Sequence, residues 1–348
     1  MSQTNLIAAV MASALVPAIW SQAPQALELT GDYALTHDPS IAREGNKYYV
    51  FATGKALGGG QLAIRCSSNL TEWILCGHVF DDIPAWIRTD SPRTRDLWAP
   101  DISYFNGKYH LYYAYSAFGL NTSGIALATN ITLDPQNPSY RWNDEGLVLK
   151  SLASDDFNAI DPNIVLDNKG QPWLSLGSFW SGIKMRHLDA ITGKPAASDP
   201  TLYSLAARAK PAQAENPKPG LPADWQAIEA PFIVRHGGFY YLFVSFDLCC
   251  RGARSSYRIM VGRSAKVTGP YLDESGIPMP KGGGTQLLAA NQRWLGPGGQ
   301  SVLQRPEGDL LVFHAYDAVT GKPALQISTI EWIGGWPRVT LRTTGEAK

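Results

Sequence analysis

The segment Asn158-Ala-Ile-Asp-Pro-Asn-Ile-Val-Leu-Asp-Asn-Lys-Gly-Gln-Pro-Trp-Leu-Ser-Leu-Gly (residues 158–177) decides the fold. An Asp-Pro pair opens an apolar run typical of a strand, a polar turn follows at 167–170, and a second apolar run returns. We therefore predict a β-hairpin with Asp161 at its mouth. Because a lone Asp-Pro pair more often marks a turn or a helix cap, the interpretation depends on whether the pattern recurs.

The pattern occurs five times along the chain, in units that begin at residues 38, 99, 161, 230 and 299, with spacings of 61, 62, 69 and 69 residues. The units open with Asp38-Pro39-Ser40-Ile41, Ala99-Pro100-Asp101-Ile102, Asp161-Pro162-Asn163-Ile164, Ala230-Pro231-Phe232-Ile233 and Gly299-Gln300-Ser301-Val302. Each unit also has a third apolar run, at 62–65, 124–128, 182–185, 258–261 and 324–327. A repeated unit of four strands is typical of a propeller blade, so we predict an all-β, five-bladed β-propeller. The first strands of the blades then bring the five opening residues to one end of the central axis.

Composition limits the class of protein. The chain has 348 residues, of which 11% are aromatic, and fits one large all-β domain better than two. We therefore assign residues 27–348 to a single propeller domain. Lys plus Arg number 30, as do Asp plus Glu. This balance argues against a nucleic-acid partner, which needs a basic surface. We expect a monomer.

The apolar stretch 6–20 is too short to span a bilayer but fits the core of a secretory signal. Residues 1–26 are therefore assigned to a signal peptide, although the residues before the stretch include no Lys or Arg. We expect a secreted, extracellular protein that does not associate with a membrane. Three Asn-x-Ser/Thr sequons are glycosylation candidates: Asn69, Asn121 and Asn130.

The four cysteines fall into two pairs. Cys66 and Cys76 lie ten residues apart across an expected turn between outer strands, so in a secreted chain they are disulfide candidates. Cys249 and Cys250 are adjacent, and both a vicinal disulfide and a reduced buried pair stay open. The sequence has no Cys-x-x-Cys and no His-rich ligand spacing, which argues against a structural zinc site.

Three acids converge in the predicted fold. Asp38 and Asp161 hold the same opening position in units one and three, and Glu229 lies one residue before that position in unit four. Each alone is more often a turn or cap residue, but three carboxylates in register at one rim repel one another and favour a functional reason. A carboxyl kept protonated beside one kept ionised is what glycoside hydrolysis needs. Because Asp38 and Glu229 come from blades that are not neighbours, they should face each other across the pocket. That placement favours the wide gap of about 6.5–9.5 Å that leaves room for water in an inverting mechanism.

Aromatic residues lie in segments that should approach the same pocket: Trp98, Phe118, Phe179 and Trp180. Filling the core is the alternative role of such residues. In a cleft they can stack on the apolar face of a sugar ring.

The motifs His37-Asp38-Pro39-Ser40, Trp98-Ala99-Pro100-Asp101, Ala159-Ile160-Asp161-Pro162-Asn163 and Glu229-Ala230-Pro231 resemble those of glycoside hydrolase family 43. The segments 245–252 and 312–317 are similar to those of its endo-acting arabinanases. The resemblance covers most of residues 30–340, in the same blade order.

The resemblance implies a five-bladed propeller that cleaves α-1,5-linked L-arabinan, a polysaccharide of pectin side chains, with inversion. It implies that Asp38 is the general base, Glu229 the general acid, and Asp161 the residue that orients the acid and tunes its pKa. It also implies that His314 faces a hydrated calcium ion on the axis, with no organic cofactor. The substrate-binding candidates are His37, Trp98, Phe118, Asn163 and Ser178.

Three other hypotheses stay open. An exo-acting β-xylosidase or α-L-arabinofuranosidase would use the same blade motifs. A non-catalytic sugar-binding propeller would keep the aromatic residues but would not need three acids in register, and a protein-interaction propeller would need no acid cluster.

Overall fold

The computed structural model describes residues 23–218 and 220–343, so most of the predicted signal peptide, up to residue 22, lies outside the described residues. Five sheets follow one another along the chain, one for each sequence unit, and the predicted five-bladed propeller is confirmed. Within residues 23–218 and 220–343, no helix has the length and apolar character needed to cross a membrane.

Blade one comprises β1 (Thr30–Gly31), β2 (Ser40–Glu44), β3 (Lys47–Lys55), β4 (Gln61–Ser67) and β5 (Glu72–Phe80), and the short helix α1 (Ala85–Asp90) follows it. Blade two comprises β6 (Leu97–Phe105), β7 (Lys108–Tyr115), β8 (Gly124–Asn130) and β9 (Asn143–Lys150). Blade three comprises β10 (Asn163–Leu166), β11 (Pro172–Leu176), β12 (Ile183–His187) and β13 (Tyr203–Ala206). Blade four comprises β14 (Ile228–His236), β15 (Phe239–Phe246), β16 (Arg258–Ser264) and β17 (Thr285–Leu288). Blade five comprises β18 (Trp294–Leu303), β19 (Leu310–Asp317) and β20 (Pro323–Thr329), and the hairpin β21 (Glu331–Ile333) and β22 (Trp336–Arg338) ends the described chain. Three short 3-10 helices lie at Asp224–Gln226, Gly252–Arg254 and Met279–Lys281.

The core lies between the blades. The middle strands are buried on both faces, as in β8, where every residue is buried. This explains why they read as continuous apolar runs and not as alternating ones, since each sheet is covered by a neighbour on both sides. Trp73 and Trp294 are fully buried in the cluster that joins blade five to blades four and one. Burying a large apolar side chain contributes about 1.5–3 kcal/mol, so these contacts between blades hold the ring together.

The N-terminal segment closes the ring. Among the residues that the structure describes, blade five has three strands of its own, and residues 25–35 run along the outer edge of β20. The Leu27 amide donates to the Ile327 carbonyl and the Leu325 amide donates to the Tyr33 carbonyl, each at 2.8 Å. In the same segment, β1 pairs in parallel with β5 of blade one. One stretch of chain therefore joins the first blade to the last.

Polar side chains also join the blades at the axis. In blades one, two, three and five they lie two residues after the opening position and bind the next blade, whereas blade four has Phe232 there. The Ile102 amide donates to Ser40 Oγ at 3.0 Å, the Ile164 amide to Asp101 Oδ2 at 2.9 Å, and the Ile233 amide to Asn163 Oδ1 at 2.8 Å. From blade five, Ser301 Oγ donates to the Pro39 carbonyl at 2.7 Å. We call Ser40, Asp101, Asn163 and Ser301 the axial ring.

Covalent and surface features differ in part from expectation. Cys66 and Cys76 form a disulfide between β4 and β5, with their Cα atoms 5.8 Å apart. Of the three sequons, only Asn69 is exposed. Asn121 and Asn130 are buried, and Asn121 Nδ2 donates to the carbonyls of residues 152, 155 and 157. Glycosylation at Asn121 and Asn130 is therefore a wrong prediction for the folded chain, because the amide nitrogen that would carry the sugar is enclosed.

Candidate active site

The five opening residues share an uncommon backbone conformation. Their φ angles are all left-handed: Asp38 47°, Ala99 43°, Asp161 55°, Ala230 51° and Gly299 57°. This conformation costs a non-glycine residue about 1–2 kcal/mol, so five equivalent cases mark a feature that the fold requires. A narrow cavity on the axis is lined by these five residues and by those that follow them.

Asp38 is held by partners that keep it ionised. His37 Nδ1 lies 2.8 Å from Asp38 Oδ2, and the Thr53 hydroxyl donates to the same oxygen at 2.6 Å. Burial alone would raise the pKa of Asp38, but the charge and hydrogen bond of His37, with the hydrogen bond of Thr53, outweigh it and hold the pKa well below its usual range. Asp38 Oδ1 accepts no hydrogen bond from the described residues and lies 3.6 Å from His314 Nδ1. The carboxylate is thus charged, with one oxygen left to receive a proton.

Glu229 has the opposite environment. It is buried, and burial first, then the charge of Asp38, raise its pKa to about 7 in spite of a hydrogen bond from Ser178. The Ser178 hydroxyl donates to Oε2 at 2.5 Å and the Tyr257 hydroxyl donates to Oε1. This carboxyl is fixed in orientation and keeps its proton up to neutral pH.

Asp161 lies next to Glu229 and accepts a hydrogen bond from the Ala230 amide at 3.0 Å. Burial, followed by the charges of Glu229 and Asp38, raises the pKa of Asp161 well above its usual range. Because each of the two carboxyls disfavours the charge of the other, their pair retains a proton where an isolated carboxyl would be ionised.

His314 is the residue to which the resemblance assigns a metal ion. It is fully buried on β19, its ring stacks on His37 with centroids 3.8 Å apart, and the Asp38 amide donates to Nδ1 at 3.1 Å. Burial lowers the pKa of His314 well below its usual value, so the ring is neutral and carries its hydrogen on Nε2. Nε2 is buried and has no partner among the described residues. These features fit a hydrated cation, which Nε2 would contact through a water molecule.

The predicted substrate-binding residues lie in three different settings. Trp98 is half-buried on β6, one residue before Ala99, and Phe118 is 84% exposed in the loop after β7, so both keep an accessible ring at the rim. His37 and Ser178 instead hold Asp38 and Glu229. Asn163 is buried in the axial ring, where Oδ1 accepts from the Ile233 amide and Nδ2 donates to Asp101 Oδ1 at 3.1 Å. The prediction that Asn163 contacts substrate is therefore wrong, since its amide group is used within the protein.

Three residues of the site escaped sequence analysis: Thr53, Tyr257 and Tyr316. Tyr316 Oη lies 2.7 Å from His37 Nε2, and the Tyr257 and Thr53 hydroxyls contact Glu229 and Asp38. Thr53 and Tyr316 lie at the rim ends of second strands, and Tyr257 lies just before a third strand. A hydroxyl-bearing residue near the rim end of a second or third strand is the sequence pattern that could have identified all three.

Cys249 and Cys250 lie at the same rim, in the loop 247–257 between β15 and β16, and the structure contains a disulfide between them. Cys250 is exposed and Cys249 is half-buried, which excludes the buried pair left open above.

Comparison with known proteins gives consistent results. A sequence model described as Glycosyl hydrolases family 43 matches residues 33–337. The extracellular endo-α-(1→5)-L-arabinanase 1 of Bacillus subtilis is 45% identical over 87% of this chain and 87% of its own. The extracellular exo-α-(1→5)-L-arabinofuranosidase of Cellvibrio japonicus is 42% identical over 87% and 86%. Among solved structures, a GH43 endo-arabinanase from Bacillus licheniformis has a TM-score of 0.79 at 45% identity and covers 90% of this chain and 99% of its own. A Cellvibrio cellulosa α-L-arabinanase complexed with arabinohexaose has a TM-score of 0.82 at 41% identity, covering 89% and 96%.

Proposed function

Because this chain belongs to glycosyl hydrolases family 43, we propose that it hydrolyses the internal α-1,5-linked L-arabinofuranosidic bonds of arabinan with inversion. The observation that carries the proposal is the split between two carboxyls of one site. The pKa of Asp38 is lowered and that of Glu229 is raised to about 7, so one is ionised and the other protonated at the same pH. An acid and a base in this arrangement are what glycoside hydrolysis requires.

Asp38 acts as the general base. His37 and Thr53 occupy Oδ2, which leaves Oδ1 to take a proton from the attacking water. The lowered pKa of Asp38 keeps it ready over the whole working range of pH. Its placement on blade one, across the axis from blade four, supports a gap wide enough for that water.

Glu229 acts as the general acid and protonates the leaving glycosidic oxygen. Ser178 and Tyr257 contact one oxygen each and fix the plane of the carboxyl. Burial and the charge of Asp38 keep the pKa of Glu229 high, and Asp161, coupled to Glu229, helps the pair of carboxyls to retain its proton at neutral pH. Asp161 is thus a positioning and tuning group beside the acid.

A calcium ion is proposed at His314, contacted through its hydration shell. Such an ion would supply positive charge near Asp38 and favour its ionised form. Prolonged chelation should lower activity or melting temperature, and calcium should restore it. Unchanged activity and melting in metal-free protein, verified by elemental analysis, would remove the ion from the proposal.

The internal mode of attack has its own support. A cavity of ≈ 350 Å³ is lined by Trp180, Asp156, Leu221 and others, and Trp180 lies two residues after Ser178 in the chain. We propose that this cavity receives an arabinan chain that continues past the cleaved bond. The exo mode is the second candidate, because the Cellvibrio japonicus relative is described as exo-acting at almost the same identity as the endo-acting one.

Product sizes over time separate these modes. Debranched arabinan should give a ladder of intermediate oligosaccharides from the first minutes, whereas one short product from the start would mean exo attack. Arabinoxylan and aryl glycosides serve as controls, and activity on them without activity on arabinan would overturn the proposed substrate. Proton NMR of the first products should show the anomer opposite to the α-linked substrate, and initial release of the α-anomer would exclude inversion.

We also propose that the protein is secreted after removal of a signal peptide within residues 1–26, and acts as a monomer. The relatives from Bacillus subtilis and Cellvibrio japonicus are both named extracellular. Gln25 and Ala26 pair with blade five, which favours cleavage before Gln25. N-terminal sequencing of protein recovered from the medium, with light scattering for its mass, tests the three statements.

A further inference from the structure

We propose that the disulfide between Cys249 and Cys250 positions the base Asp38 through Tyr316 and His37, and that a dithiol able to reduce it slows the reaction. The inference rests on the proposed function, and it assigns the adjacent cysteines a role in the catalytic step.

A continuous series of contacts joins the disulfide to the base. The Cys250 amide donates to Tyr316 Oη at 2.9 Å. The same hydroxyl lies 2.7 Å from His37 Nε2, and His37 Nδ1 lies 2.8 Å from Asp38 Oδ2. Cys250 Sγ also lies 3.9 Å from His37 Nε2. The orientation of His37, and with it the direction in which Asp38 Oδ1 faces, depends on where the Cys250 amide is held.

That amide is held in an uncommon conformation. Cys250 has a left-handed φ of 65°, which a cysteine rarely adopts without a constraint. The disulfide closes a small ring that contains the peptide bond between the two residues, and this ring limits the rotation of both. No comparable covalent constraint acts on Thr53 or Tyr257, which lie on or beside strands.

Beyond the cysteines, the loop has anchors of its own at both ends, and the Arg251 amide donates to Ser255 Oγ at 3.0 Å. Asp247 Oδ1 is 2.7 Å from Arg208 and its Oδ2 is 2.8 Å from Arg258, while the Ser256 amide donates to the Leu248 carbonyl at 2.8 Å. Opening the disulfide should therefore leave the blade and the loop ends in place while freeing the Cys250 amide. Two thiols of a reductant give two protein thiols and the oxidised reductant, so the step is balanced. Cys250 is exposed at the rim, where a small dithiol can reach it.

The first experiment compares Cys249→Ser/Cys250→Ser with Cys66→Ser/Cys76→Ser, which removes the disulfide at the outer edge of blade one. The rim variant should lose about ten- to hundredfold in kcat with little change in KM, because the base is misdirected while the binding surface stays. The outer variant should keep its kcat and lose melting temperature. Full kcat in a folded rim variant would overturn the proposal.

Tyr316→Phe tests whether the effect travels through the hydroxyl. Combined with the rim variant, it should lose no more kcat than the larger single loss, because both changes break the same series of contacts. Losses that multiply would show that the disulfide acts elsewhere and would overturn the proposal.

Reduction gives an independent test. In the Cys66→Ser/Cys76→Ser variant, dithiothreitol should lower kcat in step with the thiols counted by alkylation and mass spectrometry, and reoxidation should restore it. Unchanged kcat with both thiols alkylated contradicts the inference. If the wild-type protein does not hydrolyse arabinan, the proposed function fails, and positioning is read instead from the ring nitrogen resonances of His37. Those should change in the rim variant and not in the outer variant, and identical resonances would end the inference.

Discussion

Blades one, three and four place a carboxylate at or beside the opening position of the inner strand, whereas blades two and five place Ala99 and Gly299 there. All five opening residues nevertheless share the same left-handed backbone. The left-handed backbone is therefore required by the propeller fold, whereas the carboxylates are required only by the proposed reaction. Function is carried by a site that three blades supply on a framework that five build.

Blade two sharpens the contrast, because it has an acid two residues farther along. Asp101 and Asp38 are both enclosed at the axis, yet burial raises the pKa of Asp101 to about 7 while that of Asp38 is lowered. Asp101 has only neutral hydrogen-bond partners, which do not compensate its burial, whereas Asp38 has His37. Two residues farther along the inner strand, the acid is thus a structural link between blades and not the ionised carboxylate that is proposed as the base.

The largest expected effect is the removal of the reacting acids. Asp38→Ala and Glu229→Ala should each lower kcat by about 10²–10⁴-fold, because each removes one partner of the acid–base pair. Steady-state hydrolysis of debranched arabinan measures the loss, and circular dichroism verifies the fold. Turnover near that of the wild type in either folded variant would contradict the division between catalytic and structural blades.

Asp161→Asn and Asp101→Asn apply the same chemical change to a catalytic and a structural blade. Asp161→Asn should lower kcat by about 10²-fold, since it breaks the coupled pair of carboxyls that retains the proton of the acid. Asp101→Asn should retain kcat and lose about 1–3 kcal/mol of unfolding free energy, because a donor then faces the Ile164 amide. If the two variants had equal effects on kcat and on denaturant unfolding, Asp161 and Asp101 could not be assigned a catalytic and a structural role, respectively.

The opening positions could be predicted from sequence because they follow the strand period. The units at 38, 99, 161, 230 and 299 carry the same local pattern, and a blade must repeat it to bury both faces of its middle strands. The acids followed from that register. The sequence does not predict which side chains approach the site from other blades. Tyr316 contacts His37 although the two lie 279 positions apart, and such contacts leave no local pattern.

The wrong predictions have a related cause. Asn121 and Asn130 lie in sequons, which normally mark exposed residues, and Asn163 lies in a motif of the predicted site, but all three side chains are buried. Likewise, the strand that completes blade five comes from residues 25–35, a segment without the repeated pattern. The burial of a side chain and the closure of the ring depend on how the blades pack together, so the sequence of a single repeated unit cannot predict them.

Gly299→Ala tests why blade five lacks a side chain at the opening position. A Cβ there would lie 2.5 Å from Asp38 Oδ1 and 2.8 Å from the His314 ring, so kcat should fall by about ten- to hundredfold as the base is displaced. Gly45→Ala is the matched control: it has a similar φ of 59° but nothing within 4 Å of the added carbon. It should share the cost in stability, about 1–2 kcal/mol, without the loss of kcat. Equal kcat in the two variants would mean that blade five is not shaped around the base.

The pH dependence separates the two acids whose pKa values are raised to about 7. Glu229 must be protonated to act, so kcat/KM should be level below about pH 7 and fall about tenfold per pH unit above it. Asp38, with a lowered pKa, should cause no loss of activity until the pH is well below the usual carboxyl range.

Asp101 affects stability and not activity. Its pKa is higher in the folded than in the unfolded protein, so the folded protein should lose stability as the pH rises through about 7. Asp101→Asn should thus leave the activity profile unchanged, and activity that rises above neutral pH would contradict the role of Glu229.

Ala99→Gly should have the smallest effect, and it tests the scaffold half of the comparison alone. Ala99 has a φ of 43°, a conformation that costs alanine about 1–2 kcal/mol and glycine almost nothing. Glycine also has greater conformational freedom in the unfolded chain, which costs about 0.5–1 kcal/mol of stability on folding. The net change should therefore be a stabilisation of less than about 1 kcal/mol. The Ala99 amide donates to Thr53 Oγ1 at 2.7 Å, and that hydroxyl supports Asp38, but glycine keeps the amide and kcat should not change. Denaturant unfolding and arabinan hydrolysis measure both quantities. A marked destabilisation would show that the left-handed backbone at Ala99 does not cost the folded protein free energy. A fall in kcat would show that blade two also contributes to the proposed active site.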